Sequence, residues 1–370
     1  MEKAPHYIRS SLRAPFATVN WQGLRSSANE FEHGYFQKGL LTMLESLNPG
    51  QFEKCGTVKD GFEFRHGVIP VHVTVAKDTY TISAPCAAIG DSHMAEQGLG
   101  TAIAFQGKDM MLAQFVVRDG ELWTFYSGRL DSANLQKSFG VLKDVAYVAD
   151  YEARRLPLKF RFESLQKDFS RPYAPDVLES LFEQFQSFLK EGEAYADYFA
   201  NNGKAELAAS MLKSQAEKAL HHVQATGLLR ANLLNNVLAT LSDFSAPASL
   251  RLDKGRDDYF HLKDMDLGEF GASVRNEELL LPASLAMTFD VLCDRLTPIL
   301  QEAEEKKKSG NFEEVFVLIS SHLSEILCRG VLEPDHHETV ISLLEKSSGK
   351  PWEVASKSLL QDLQSFLQTS

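Results

Sequence analysis

Apolar positions recur at helical spacing over Glu32–Leu47, where Phe36, Leu40, Leu41, Leu44 and Leu47 mark one face and Asn48-Pro49-Gly50 supplies a stop. The period then shortens to two. Phe62 and Phe64 alternate with charged neighbours after Asp60-Gly61, and Val71, Val73 and Val75 alternate with His72, Thr74 and Ala76. Lys77-Asp78 turns the chain into Tyr80–Ser83, and Pro85 is expected to end that strand. A helix is predicted over Ser92–Phe105, capped by Asp91 or Ser92, with Gly98, Gly100, Ala102 and Ala104 allowing close approach to a sheet. Two strands, Met110–Val117 and Glu121–Tyr126, flank Asp119-Gly120, a strong hairpin signal. Asp131 and Ser132 are expected to open a helix reaching Tyr151, with an apolar stripe over Leu135, Phe139, Leu142, Val145, Ala146 and Ala149.

From Pro172 the pattern is helical almost throughout. Pro175, Ala205–Ala225, Leu228–Leu241, Ser284–Lys308, Phe312–Cys328, Asp335–Lys346 and Trp352–Leu367 start or span such stretches. Between them, Leu250–Leu252 and Tyr259–Leu262 are read as a small hairpin. The fold class is therefore α+β: an N-terminal α-βββ-α-ββ-α antiparallel-sheet domain followed by an all-α helical domain. The expected boundaries are a loose N-terminal arm over 1–30, the α+β domain over 31–155, a linker over 156–172 and the helical domain over 173–370.

The 370 residues are 44% hydrophobic and 24% charged, a globular composition with no apolar run long enough to span a bilayer. Charge changes the picture more. Residues 1–160 carry 17 Lys and Arg against 17 Asp and Glu, whereas residues 161–370 carry 21 against 33, so the whole excess of −12 sits in the helical half. Such a surface repels phosphate backbones, and neither nucleic acid nor membrane is expected as a partner. It is read as a solubilising face before an acidic docking face. Lys3, Arg9 and Arg13 near the N-terminus are broken up by Pro5 and Pro15, so a loose arm is favoured over an import signal. Cys55, Cys86, Cys293 and Cys328 form no CxxC pair, which fits reduced thiols in the cytoplasm.

The chain offers few side-chain groupings suited to chemistry. His221-His222 are adjacent on a helix and point about 100° apart, which suits a polar face better than chelation. Asp335-His336-His337-Glu338, after Glu333 and Pro334, is the densest ligand-type cluster. It is read first as a capping box, Asp335 to Glu338. The alternative is a metal-dependent hydrolase-type activity around Asp335, His336 and His337. Ser347–Lys350 lacks the spacing of a phosphate loop, and Gly98-Leu99-Gly100 sits among antiparallel strands rather than in a βαβ unit. No catalytic, cofactor or metal residue is assigned. Met111, Trp123, Phe125 and Tyr126 supply more apolar surface than the core plainly needs, and they are the candidate partner-binding residues.

The succession Phe36–Leu47, Val71–Val75, Tyr80–Pro85, Phe115–Trp123, Leu130-Asp131 and Ala146–Asp150 resembles the YbjN family and the related fold of type III secretion chaperones. The match covers about residues 31–155 and rests on element order. The resemblance implies a twisted antiparallel sheet with three helices, usually paired into a dimer and holding extended partner segments. The expected function is thus a non-catalytic, chaperone-like protein that dimerises or holds a polypeptide through the α+β domain. An acidic assembly or regulatory adaptor is a further alternative.

Overall fold

The computed structural model describes residues 1–10, 12, 19–58, 61–90, 93–166, 171–225, 227–277, 279–282 and 287–368. Expectations resting on Arg13, Pro15, Asp60, Asp91, Ser92 and Ser284 lie outside the described residues. The first half runs through helices α1 (Trp21–Glu32), α2 (Phe36–Leu47) and the single turn α3 (Gln51–Lys54) into strands β1 (Gly56–Val58), β2 (Gly61–His66), β3 (Ile69–Val75) and β4 (Thr79–Ala88). Helix α4 (His93–Asp109), strands β5 (Gln114–Arg118) and β6 (Glu121–Arg129), helix α5 (Leu135–Phe160) and the short strand β7 (Glu163–Ser164) follow. The strands form one antiparallel sheet in the order β1-β2-β3-β4-β6-β5, with β7 on the end of β4.

Alternation decides which face is dry. Val71 and Val73 on β3, Tyr80, Ile82 and Ala84 on β4, and Leu122 and Thr124 on β6 are buried on the inner face. There the Thr124 hydroxyl reaches Val145 O of α5 at 3.1 Å. Each fully buried aliphatic side chain of this set stabilises by about 1.5–3 kcal/mol. The β5–β6 hairpin turns on Asp119 (φ 50°) and Gly120 (φ 79°), the paired left-handed geometry that matches strand twist.

Several local expectations fail, each for a tertiary reason. Pro85 does not end its strand. β4 has already passed its last pairing with β3 (His72 with Ser83), so the missing N–H costs no ladder bond there, and an irregularity between Pro85 and Ala87 carries the strand on to Ala88. Asp131 and Ser132 lie in a 3₁₀ turn, Leu130–Ser132, and the cap of α5 is Asn134, whose Oδ1 accepts the Lys137 N–H at 2.9 Å. Leu156–Phe160 continue α5 through Pro157 instead of forming a linker, because Leu156 and then Phe162 still have core to fill. Gly98 of α4 approaches Phe160 and Phe162 and not a sheet face.

The second half contains β8 (Arg171–Pro172), α6 (Pro175–Asn201), α7 (Ala205–His222), and α8 (Gly227–Asn232), which passes through a π-helical turn at Leu233–Leu238 into α9 (Ala239–Leu241). Next come α10 (Ala248–Lys263), α11 (Leu267–Ser273), β9 (Arg275–Asn276), α12 (Phe289–Lys308), α13 (Phe312–Arg329), α14 (Pro334–Ser347) and α15 (Trp352–Gln368). The hairpin expected around Leu250 and Tyr259 is instead the helix α10. Its buried positions Leu252, Gly255, Tyr259 and Leu262 fall three or four apart, and Gly255 and Gly192 admit Leu241 and the Tyr259 hydroxyl. No helix of the described residues is long and apolar enough to cross a membrane.

Among the described residues there are two cores, and each half lends a segment to the other. Leu280 and Leu281 pack in the core of the α+β half, while Ala4 packs among the helices. Leu280 N–H donates to His66 Nδ1 at 3.2 Å, and the Tyr147 hydroxyl donates to Leu281 O at 3.1 Å. Burial holds His66 neutral, pushing it down to about 4, which keeps a ring nitrogen free to accept. Beside this seam the Arg154 guanidinium bridges Asp150 (3.2 Å) and Glu277 (2.7 Å), all three buried.

The N-terminal residues are not a loose arm. Ala4 N–H donates to Lys350 O (2.8 Å) and Tyr195 to Lys3 O (2.6 Å), so the segment straps the helical half; Trp21–Glu32 then pack as a helix on α2.

Candidate functional site

Of the four candidate partner-binding residues, the fold brings two together. Trp123 and Phe125 project from the outer face of β6, two residues apart, opposite Val116 and Gln114 of β5. Trp123 Nε1 donates to Glu121 (3.0 Å), and its ring lies 5.6 Å from that of His72, whose Nε2 meets Glu63 at 3.0 Å. The Arg118 guanidinium stacks on Phe125 at 4.2 Å. Helix α5 lies on the opposite face, and the helical half docks at the His66–Tyr147 end; on the outer face His72, Val116, Trp123 and Phe125 are half-buried.

Tyr126 does not belong to this surface. It points inward, 8% exposed, with its ring 5.5 Å from Tyr80. Strand parity, which separates residues 123 and 125 from 126, carries that distinction in the sequence itself. Met111 is 89% exposed, on the bend before β5. Its N–H and that of Leu112 both donate to Asp144 Oδ2 of α5 (3.0 and 3.2 Å), a buried carboxylate that holds the bend while both side chains project.

Strand β5 is a sheet edge on which Gln114, Val117 and Arg118 are exposed, and Met111 and Leu112 project from the bend just before it. In an antiparallel strand alternate residues turn their N–H and C=O to opposite sides. Phe115 N–H points away from β6, because it donates to Gln106 Oε1 at 2.7 Å. Val117, two residues on, therefore turns its backbone to the same open side. Strand edges are usually protected by charge, proline or cover.

The Asp335–Glu338 cluster is dispersed. Asp335 does not cap α14. Pro334 occupies the first helical position, which moves Asp335 into the first turn, and the N-cap residue Glu333 makes no capping bond and reaches Arg25 instead (3.2 Å). His336 packs on Phe289 (4.7 Å) with its Nδ1 buried and unpartnered, while His337 faces His221 at 5.7 Å. Among the described residues no three His, Cys, Asp or Glu side chains are grouped as metal ligands.

The expected polar face at His221-His222 is also corrected. His222 is 1% exposed, its Nδ1 3.2 Å from Ile8 O of the strap and its ring 5.5 Å from Phe188. His221 and His337 instead line a cavity of about 280 Å³ between α1 and the helices α7, α8, α13 and α14. Sequence reasoning missed this cavity, because its walls come from five separate stretches of chain. Set against known proteins, the chain matches no protein-family model, and no curated protein matches it in sequence.

Proposed function

We propose that this chain is a non-catalytic binding protein that holds an extended polypeptide segment along the β5 edge of its sheet. The observation that carries the reading is the edge itself, where the exposed Val117 turns its backbone away from β6. An added strand would gain main-chain hydrogen bonds there, and the side chains around Val116, Trp123 and Phe125 would supply selectivity. The element order that resembles secretion-chaperone-like proteins is consistent with that role, and it makes a second copy of the chain one candidate occupant.

Val117→Pro is the discriminating variant. Its N–H faces away from β6, so proline should leave the β5–β6 ladder intact while removing the donor an added strand requires. Light scattering on the full chain, with capture and sequencing of bound polypeptide from the native host, is expected to show a dimer or a defined partner for wild type and its loss in Val117→Pro. A wild-type monomer that recovers no polypeptide, or a variant that binds as wild type does, refutes the proposal.

A further inference from the structure

We propose that the cavity between α1 and helices α7, α8, α13 and α14 binds a small amphiphilic anion, a carboxylate or phosphate ester on a compact apolar body, through the guanidinium of Arg230. The cavity volume, about 280 Å³, is at the small end for ligand sites, and its place between two halves of a chain is a common one for them. Apolar walls come from Trp21 on α1, Leu220 on α7, and Leu327 and Leu332 on and after α13.

Arg230 is the group without an explanation. It lines the cavity from α8, its Nε is buried with no hydrogen-bond partner, and among the described residues no carboxylate pairs with it. Arg230 as a whole is half-buried, and a partly desolvated guanidinium favours a counter-charge, since the uncompensated ion is costly. Its planar fork matches a carboxylate or phosphate with two parallel bonds.

Neighbouring charges leave this cation in command. Glu338 at the rim is engaged by Arg9 (2.7 Å), which also holds Glu345 (2.9 Å). Burial, with His337, His222 and Arg230 adding to it, pushes His221 down to about 3, and burial also lowers His337. Both rings are therefore neutral at pH 7 and can donate or accept hydrogen bonds. Glu217, fully buried behind the cavity wall, is pushed up to about 8 by desolvation and carries its proton at pH 7. Cys328 in the wall is pushed up to about 12 by burial, so no thiolate is poised for attack and the site reads as one for binding.

Titration calorimetry of the full chain with 4-phenylbutyrate, phenyl phosphate, the neutral 4-phenylbutanamide and inorganic phosphate tests the proposal. One of the two amphiphilic anions should bind with 1:1 stoichiometry, at least tenfold tighter than the amide and than inorganic phosphate. Which of the two binds tighter identifies the headgroup. Arg230→Gln should weaken that binding tenfold or more, and Leu332→Trp, which fills the cavity from its wall, should abolish it even where Arg230→Gln does not fold. The proposal is overturned if neither anion binds, if the amide or inorganic phosphate binds equally well, or if a folded Arg230→Gln or Leu332→Trp variant binds as wild type does.

Discussion

Arg154 sits where the two halves meet, and replacing it by methionine should be among the most damaging single changes in the chain. Its guanidinium donates to Glu277 (2.7 Å) from the helical half and to Asp150 (3.2 and 3.3 Å) one turn back on α5. Asp150 in turn accepts the Val68 N–H at 2.9 Å and so anchors the β2–β3 turn. With all three side chains buried, removing the cation strips two carboxylates of their shared counter-charge, a loss of about 3–5 kcal/mol. Whole domains are stable by only about 5–15 kcal/mol, so a large share is at stake. With m near ~3 kcal/mol/M in urea, the unfolding midpoint should fall by about 1 M or more. Unfolding followed by circular dichroism and by tryptophan emission gives the shift and checks that the two transitions coincide.

The charge argument also predicts a change of sign. Asp150→Asn, which keeps an acceptor for Val68, should destabilise wild type yet recover about 1–2 kcal/mol in the Arg154→Met background. A loss under about 1 kcal/mol for Arg154→Met, or the same effect of Asp150→Asn in both backgrounds, would refute the reasoning.

Two further outcomes follow from buried groups. Among the described residues Glu217 has only long contacts to Lys213 (3.6 Å) and Arg329 (3.8 Å), and desolvation raises it to about 8. Between an unfolded value of ~4.3 and that folded value the native state holds the extra proton, so stability is greatest below pH ~4 and falls as pH rises to 8. Glu217→Gln should match wild type near pH 5 and exceed it by a few kcal/mol (order of magnitude) at pH 9; urea midpoints that keep the same gap at both pH values would contradict this. Gly67 lies at φ +57°, and a Cβ there would collide with the Asp150 carboxylate, so Gly67→Ala should cost about 2 kcal/mol or more by thermal or urea unfolding. A variant as stable as wild type would mean that the turn is not held as described.

Much of the fold was legible because its signals are local. Period-two alternation in Val71–Val75, the Asp119-Gly120 turn and the helical stripes after Pro175 each depend on neighbours within a few residues, and the α+β order followed from them. The sequence reading grouped Trp123, Phe125 and Tyr126, although strand parity, a local signal, was enough to separate the first two from the third. Local signals misled where a distant segment outbid them. Pro85 reads as a stop until the place where β3 ends is known, and Leu250–Leu262 reads as a hairpin until Leu241 and Gly192 pack on its helical face.

The sequence by itself determined most of the elements, the α+β order and the confinement of the acidic excess to the helical half, because backbone propensity, periodicity and composition are properties of short stretches and sums. Tertiary structure alone decided that β5 lies at an edge of the sheet, that the first ten residues strap the helices, and that Arg154 joins the two halves. It also drew His221, Arg230, Cys328 and His337 around one cavity. These residues lie up to 116 positions apart (221 to 337), and no local pattern records a meeting that depends on how whole helices pack.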